Sequence, residues 1–131
     1  MPTGAEAIMK GVFEDRRIFV AVLLLASGPA LYPLYGATSE PLFFSGLLLW
    51  GLLPLAIAFL IFHLRRYYAA WGWLLAVLIH GYASVVIVRQ SESSTAVLDF
   101  LFVPAWNIVI VGPVGALVGV LLARFLRPKR N

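Results

Sequence analysis

His80 and Asn107 are the residues on which any chemistry would rest, because each is a polar side chain set deep in an apolar run. An ionisable side chain inside a membrane-length segment is by default a functional candidate. An imidazole there can relay protons, bind a quinone carbonyl, or ligate a metal, haem or pigment. It can also serve as polar glue between two helices. The surroundings favour the plainer role, since no carboxylate stands beside His80. Counted inward from the same boundary, His80 and Asn107 both lie about eight residues deep, or ~12 Å at ~1.5 Å per residue. A hydrogen bond between them is therefore expected.

The other histidine, His63, closes its own run beside Arg65 and Arg66. Its depth differs from that of His80 by roughly 15 Å of helix rise. A haem shared by the two within one chain is disfavoured, and His63 reads as a solvated interface residue. Trp50, Trp106 and Tyr82 lie deeper than interface aromatics usually do. They either line an aromatic pocket for a flat ligand or, more commonly, pack in the core.

What is missing narrows the classes further. No Asp, Glu, Lys or Arg lies well inside an apolar run, which counts against a proton-coupled exporter. The chain has no cysteine, hence no disulfide framework, thiolate metal site or thiol nucleophile. Nothing resembles a phosphate-binding glycine loop, a nucleophile elbow or an HExxH helix. No metal site, catalytic residue or particular cofactor is assigned. The patterns of small multidrug exporters, fluoride channels and membrane thiol oxidoreductases are not matched either.

The elements that must position these residues follow from composition. Of 131 residues, 62% are hydrophobic and 12% charged, against about half and a quarter in soluble domains. One small core could not hide that much apolar surface, so lipid must solvate part of it. The expected fold is an all-α integral membrane protein, a single domain over 1–131. Its four spans, near 18–35, 41–64, 70–88 and 100–123, form two antiparallel hairpins. The last is the clearest, with 24 uncharged residues from Phe100 to Ala123 before RFLRPKR; a bilayer core needs about 20. Residues 4–17 place Ile8, Met9, Val12 and Phe13 at helical spacing among charges, the pattern of a short interfacial helix. The first apolar run also resembles a signal peptide, but the acidic lead-in and the continuing LYPLY argue for a retained anchor.

Charge sets the orientation. Lys10, Arg16, Arg17, Arg65, Arg66, Arg124, Arg127, Lys129 and Arg130 fall on one side, nine of the ten basic residues, and Arg89 on the other. The positive-inside rule then places both termini in the cytoplasm of an inner (plasma) membrane protein. This topology, and not nucleic acid, accounts for the net charge of +4. Tyr67, Tyr68, Trp71 and Trp73 read as an aromatic belt at the basic boundary.

Two rows of small residues predict how the helices meet. Gly72, Ala76, His80 and Ser84 share one face of the third span. Gly115, Gly119 and Ala123 share a face of the fourth, with Asn107 two steps earlier on that row. Such faces let backbones approach closely, which predicts a tight antiparallel hairpin. Pro29, Pro54 and Pro113 fall mid-span, where each removes a backbone hydrogen bond and tends to kink its helix. Pro54 with Arg65 and Pro113 with Arg124 repeat an eleven-residue spacing, a weak trace of duplication.

The sequence leads to a small polytopic protein that works by helix–helix binding. It would be an accessory or assembly subunit of a larger membrane complex, or a homo-oligomer. Two other classes are carried alongside: a small channel or carrier for a neutral or anionic solute, and a quinone-, haem- or pigment-binding subunit using His80.

Overall fold

The computed structural model describes residues 4–31, 41–90 and 102–126, and these are almost wholly helical, with no strand among them. In chain order they form α1 (Gly4–Phe13), α2 (Arg16–Ala26), α3 (Gly28–Leu31), α4 (Pro41–His63) and α5 (Tyr67–Gln90). The last helix, α6, runs Phe102–Leu126 and contains a π-helical turn, Asn107–Val111. Two stretches, Tyr67–Ile87 of α5 and Phe102–Leu126, are long and apolar enough to cross a membrane, at 21 and 25 residues. The expected turn at 36–40, most of the polar loop after α5 and the basic tail lie outside the described residues.

The first expected span, 18–35, is not one helix over its described part. Asp15 caps α2 by accepting the Arg17 amide at 2.8 Å. The helix then breaks at Ser27, whose hydroxyl and amide both turn back onto the Leu24 carbonyl. Pro29 follows two residues later. It has no N–H to offer the Leu25 carbonyl four residues earlier, so that acceptor is freed. Tyr82 of α5 adds a donor there, its hydroxyl 2.7 Å from the Leu25 oxygen, beside the backbone N–H that the α2 cap turns toward it. The interruption is thus mended in part by a neighbouring helix.

The prolines differ in what they do. α4 passes through Pro54, a buried residue, as one 23-residue helix. At Pro113 the chain instead widens just upstream: the Gly112 amide bonds to the Asn107 carbonyl five residues back. A π turn of this kind relieves the clash between a proline ring and the carbonyl of the preceding turn. The suggested repeat around Pro54 and Pro113 therefore has no common local geometry.

α4 and α5 are joined by a tight corner. Arg66 N–H bonds to the Ile61 carbonyl and Arg65 N–H to the Phe62 carbonyl, the pair of bonds that defines a Schellman C-cap. Its left-handed position, which glycine usually fills, is held by Arg65 at φ 64°. Around this corner lies the core. Phe19 stacks on Phe62 at 4.3 Å and meets Trp71 edge-on at 5.3 Å. Phe13 packs on both Tyr68 and Trp71. The Trp71 indole donates to the Phe13 carbonyl at 2.8 Å, closing one of the open acceptors at the end of α1. α1 is thereby docked at its C-terminal end while Ile8 and Val12 stay exposed.

The expected aromatic belt is consequently not a lipid-facing girdle. Trp71 and Trp73 are each only 7% exposed, and both indole N–H groups bond to backbone carbonyls of other helices. An indole inside a helix bundle must find an acceptor, and the helix ends and prolines provide them.

Candidate functional site

The seam between α5 and α6 holds most of the residues singled out from the sequence. A Cβ added to Gly72 would fall on the Gly115 carbonyl, and one on Gly115 would strike both the Gly72 carbonyl and the Ala76 methyl. A Cβ on Gly119 would meet the Tyr68 carbonyl. The two backbones are therefore in direct contact and antiparallel, and only residues without side chains allow it. Ala123 is buried further along the same helix.

At the other end of the seam His80 Nδ1 and Asn107 Oδ1 are 2.7 Å apart. His80 is half-buried and Asn107 only 4% exposed. The local backbone explains their position. Asn107 opens the π turn, so its backbone carbonyl is committed to Gly112 while its side chain is free to cross to α5. An amide oxygen can only accept, so with Oδ1 facing the ring Nδ1 is the donor and Nε2 points away from this bond. The chemical capacity of this arrangement is a fixed imidazole with one nitrogen open to a proton donor or a metal. Ser84 takes no part in it: its hydroxyl donates to the His80 carbonyl at 2.7 Å, within its own helix.

Core packing, the commoner of the two readings for Trp50, Trp106 and Tyr82, does not hold, since all three are exposed. Tyr82 is 40% exposed and tied to α2 through Leu25, while Trp50 and Trp106 are 37% and 53% exposed. The described cleft lies elsewhere, between α2 and α4. It measures about 330 Å³ and is lined by Leu23, Leu24, Ser27, Leu52, Leu55, Ala56 and Phe59. His63 is exposed at the end of α4. No group of three or more His, Asp or Glu side chains able to hold a metal occurs among the described residues.

Trp73 is the residue that sequence reasoning misplaced. Its ring edge fills the space where a Cβ on Gly112 would sit, 2.5 Å away. Its indole N–H donates to the Pro54 carbonyl, 2.9 Å distant. One side chain of α5 thus joins α6 to α4. The signal available was a Trp beside Gly72 on a helix that carries a stripe of small residues.

The described residues define an all-helical protein, and two helices among them are long and apolar enough to cross a membrane. In comparison with protein-family models, curated proteins and solved structures, the chain matches none.

Proposed function

We propose that this chain is a multi-pass inner-membrane protein that acts by helix–helix binding, as an accessory or assembly subunit of a larger membrane complex or as a homo-oligomer. In this reading four segments span the bilayer, near 18–35, 41–64, 70–88 and 100–123, with both termini cytoplasmic. The first crosses as a broken helix, α2 and α3, whose freed carbonyl accepts from Tyr82. α4, at 23 residues and ~1.5 Å each, reaches ~35 Å, enough for a hydrocarbon core of about 30 Å.

The observation that carries the reading is the outward surface of α6. This helix rests chiefly on α5, through a seam of glycines, and exposes Val109, Val114, Leu117, Leu121, Leu122 and Phe125. A helix held along one narrow stripe leaves the rest of its circumference for lipid or for another helix. A solute path finds less support. The polar side chains in the seam bond to each other or within one helix, and the contacts beside them are glycine, alanine and tryptophan. We assign the chain no catalytic step of its own.

Gentle detergent extraction of the tagged full chain, with mass spectrometry of what accompanies it, tests this. Stoichiometric protein partners or a defined homo-oligomer are expected. A monodisperse monomer that conducts a solute in liposomes would overturn the reading in favour of a channel. One observation also favours a second reading, a bound quinone, haem or pigment: the open Nε2 of His80. It predicts a visible or near-ultraviolet band in the same sample that disappears in His80→Ala.

A further inference from the structure

The cleft between α2 and α4 has a polarity that neither its size nor its depth required. Its wall is apolar throughout apart from Ser27 at one end, where the hydroxyl is already given to the Leu24 carbonyl. Leu23, Leu24 and Ser27 line it from α2; Arg16 lies seven, eight and eleven residues before them, on the same helical stripe. Leu52, Leu55, Ala56 and Phe59 line it from α4, and the next residue on that stripe is the exposed His63. The two helices run antiparallel, with Phe19 on Phe62, so Arg16 and His63 lie toward the same end of the cleft. There the Arg16 guanidinium lies over the Phe59 ring, 5.7 Å from its centre.

The charge at this mouth is one-sided. Arg16, Arg17, Arg65 and Arg66 are all exposed where α2 begins and α4 ends. The nearest carboxylate, Asp15, accepts the Arg17 amide and is engaged in capping α2. Glu14 is exposed on the link to α1. An apolar cleft that runs about 10 Å along α4 from Leu52 to Phe59, with a cation over its Phe59 end, suits the tail and negative head of an amphiphile.

We propose that the α2–α4 cleft is a binding site for an anionic phospholipid, with an acyl chain against Leu23, Leu52 and Ala56 and the headgroup phosphate at Arg16. This rests on the membrane reading given above. Arg16 is the specificity residue: Phe59 holds its guanidinium at the mouth by a cation–π contact, where a phosphate can take two parallel N–H bonds. A zwitterionic lipid offers the same phosphate, but its ammonium offsets the net negative charge that the cations at the mouth attract.

The test uses the full chain reconstituted in vesicles of phosphatidylcholine and phosphatidylglycerol. One of the two carries a photoreactive group on its acyl chain, and labelled peptides are read by mass spectrometry. Phosphatidylglycerol is expected to label the α2 and α4 cleft residues about fivefold more than phosphatidylcholine, the ratio that about 1 kcal/mol per arginine gives. Arg16→Gln should lower phosphatidylglycerol labelling until the two lipids label the cleft alike. Ala56→Trp should block both lipids at the cleft while labelling of α6 persists. Equal labelling by the two lipids, or a preference that survives Arg16→Gln, overturns the proposal; so does a cleft that crosslinks to a second copy instead of lipid. Should Ala56→Trp fail to fold, the Arg16→Gln comparison decides alone. Failure of the membrane reading looks different: no helix would take label from either lipid. Labelling of α5 and α6 with none in the cleft would sink this site and leave that reading standing.

Discussion

At the scale of single residues, Arg65 is the clearest case of local cost kept in the fold. A non-glycine residue in the left-handed region gives up roughly 1–2 kcal/mol, and the Schellman corner at the end of α4 requires that conformation. Arg65→Gly is expected to raise stability by about 1 kcal/mol, seen as a higher midpoint of thermal unfolding in detergent. A lower midpoint would show that the guanidinium makes a contact worth more than the strain. The His80–Asn107 pair invites a double-mutant cycle. Interhelical hydrogen bonds of this kind contribute about 0.6 kcal/mol and at most about 1.7. The single alanine variants should each cost about that much, and the coupling should account for most of it. Additive losses would mean that the 2.7 Å contact is not what holds the two side chains in place.

At the scale of elements, the backbone contact between α5 and α6 makes the hairpin intolerant of bulk. Gly115→Leu would drive a side chain into Ala76 and the Gly72 carbonyl. Neither can move without separating the helices, so a loss beyond the usual ~1–3 kcal/mol for overpacking is expected. Gly46→Leu, at a position with open space around it, is the matched control and should leave the unfolding midpoint nearly unchanged. Equal tolerance at the two sites would show that α6 does not sit on α5 as described. The broken first segment makes a separate prediction. Tyr82→Phe keeps the ring but removes the donor to the Leu25 carbonyl, so the α2–α3 junction should lose about 0.5–1.5 kcal/mol. Faster amide hydrogen exchange confined to that junction would report it.

At the scale of the whole molecule, the absence of cysteine makes topology directly measurable. Single cysteines at Lys10, Thr38, Arg66 and Ser91 can be labelled from either side of a sealed vesicle with a membrane-impermeant thiol reagent. Four spans with cytoplasmic termini put Lys10 and Arg66 on one side, and Thr38 and Ser91 on the other. Labelling of Thr38 together with Arg66 would mean that α4 does not cross and only the α5–α6 pair does. The same chain, reconstituted alone, should also show whether the exposed surface of α6 is satisfied by lipid or by a second protein.

The sequence by itself determined what depends on local composition and period. The helical character, the lengths of α5 and α6 and the glycine and alanine stripes were all legible, because a 3.6-residue period and apolar runs are written in neighbouring residues. So was the matching of His80 to Asn107, since two helices joined by one short loop are antiparallel and equal depths must meet. What only the tertiary structure decided concerns partners distant along the chain. Trp71 and Trp73 looked like interface residues until their N–H groups were seen to reach Phe13 and Pro54. Pro29, Pro54 and Pro113 looked alike, yet one borders a helix break, one is absorbed in a continuous helix and one follows a π turn. A proline removes the same donor each time, but whether the helix breaks depends on which neighbour can bond the carbonyl it frees. That neighbour is chosen by packing, and for Pro29 it is a tyrosine more than fifty residues away.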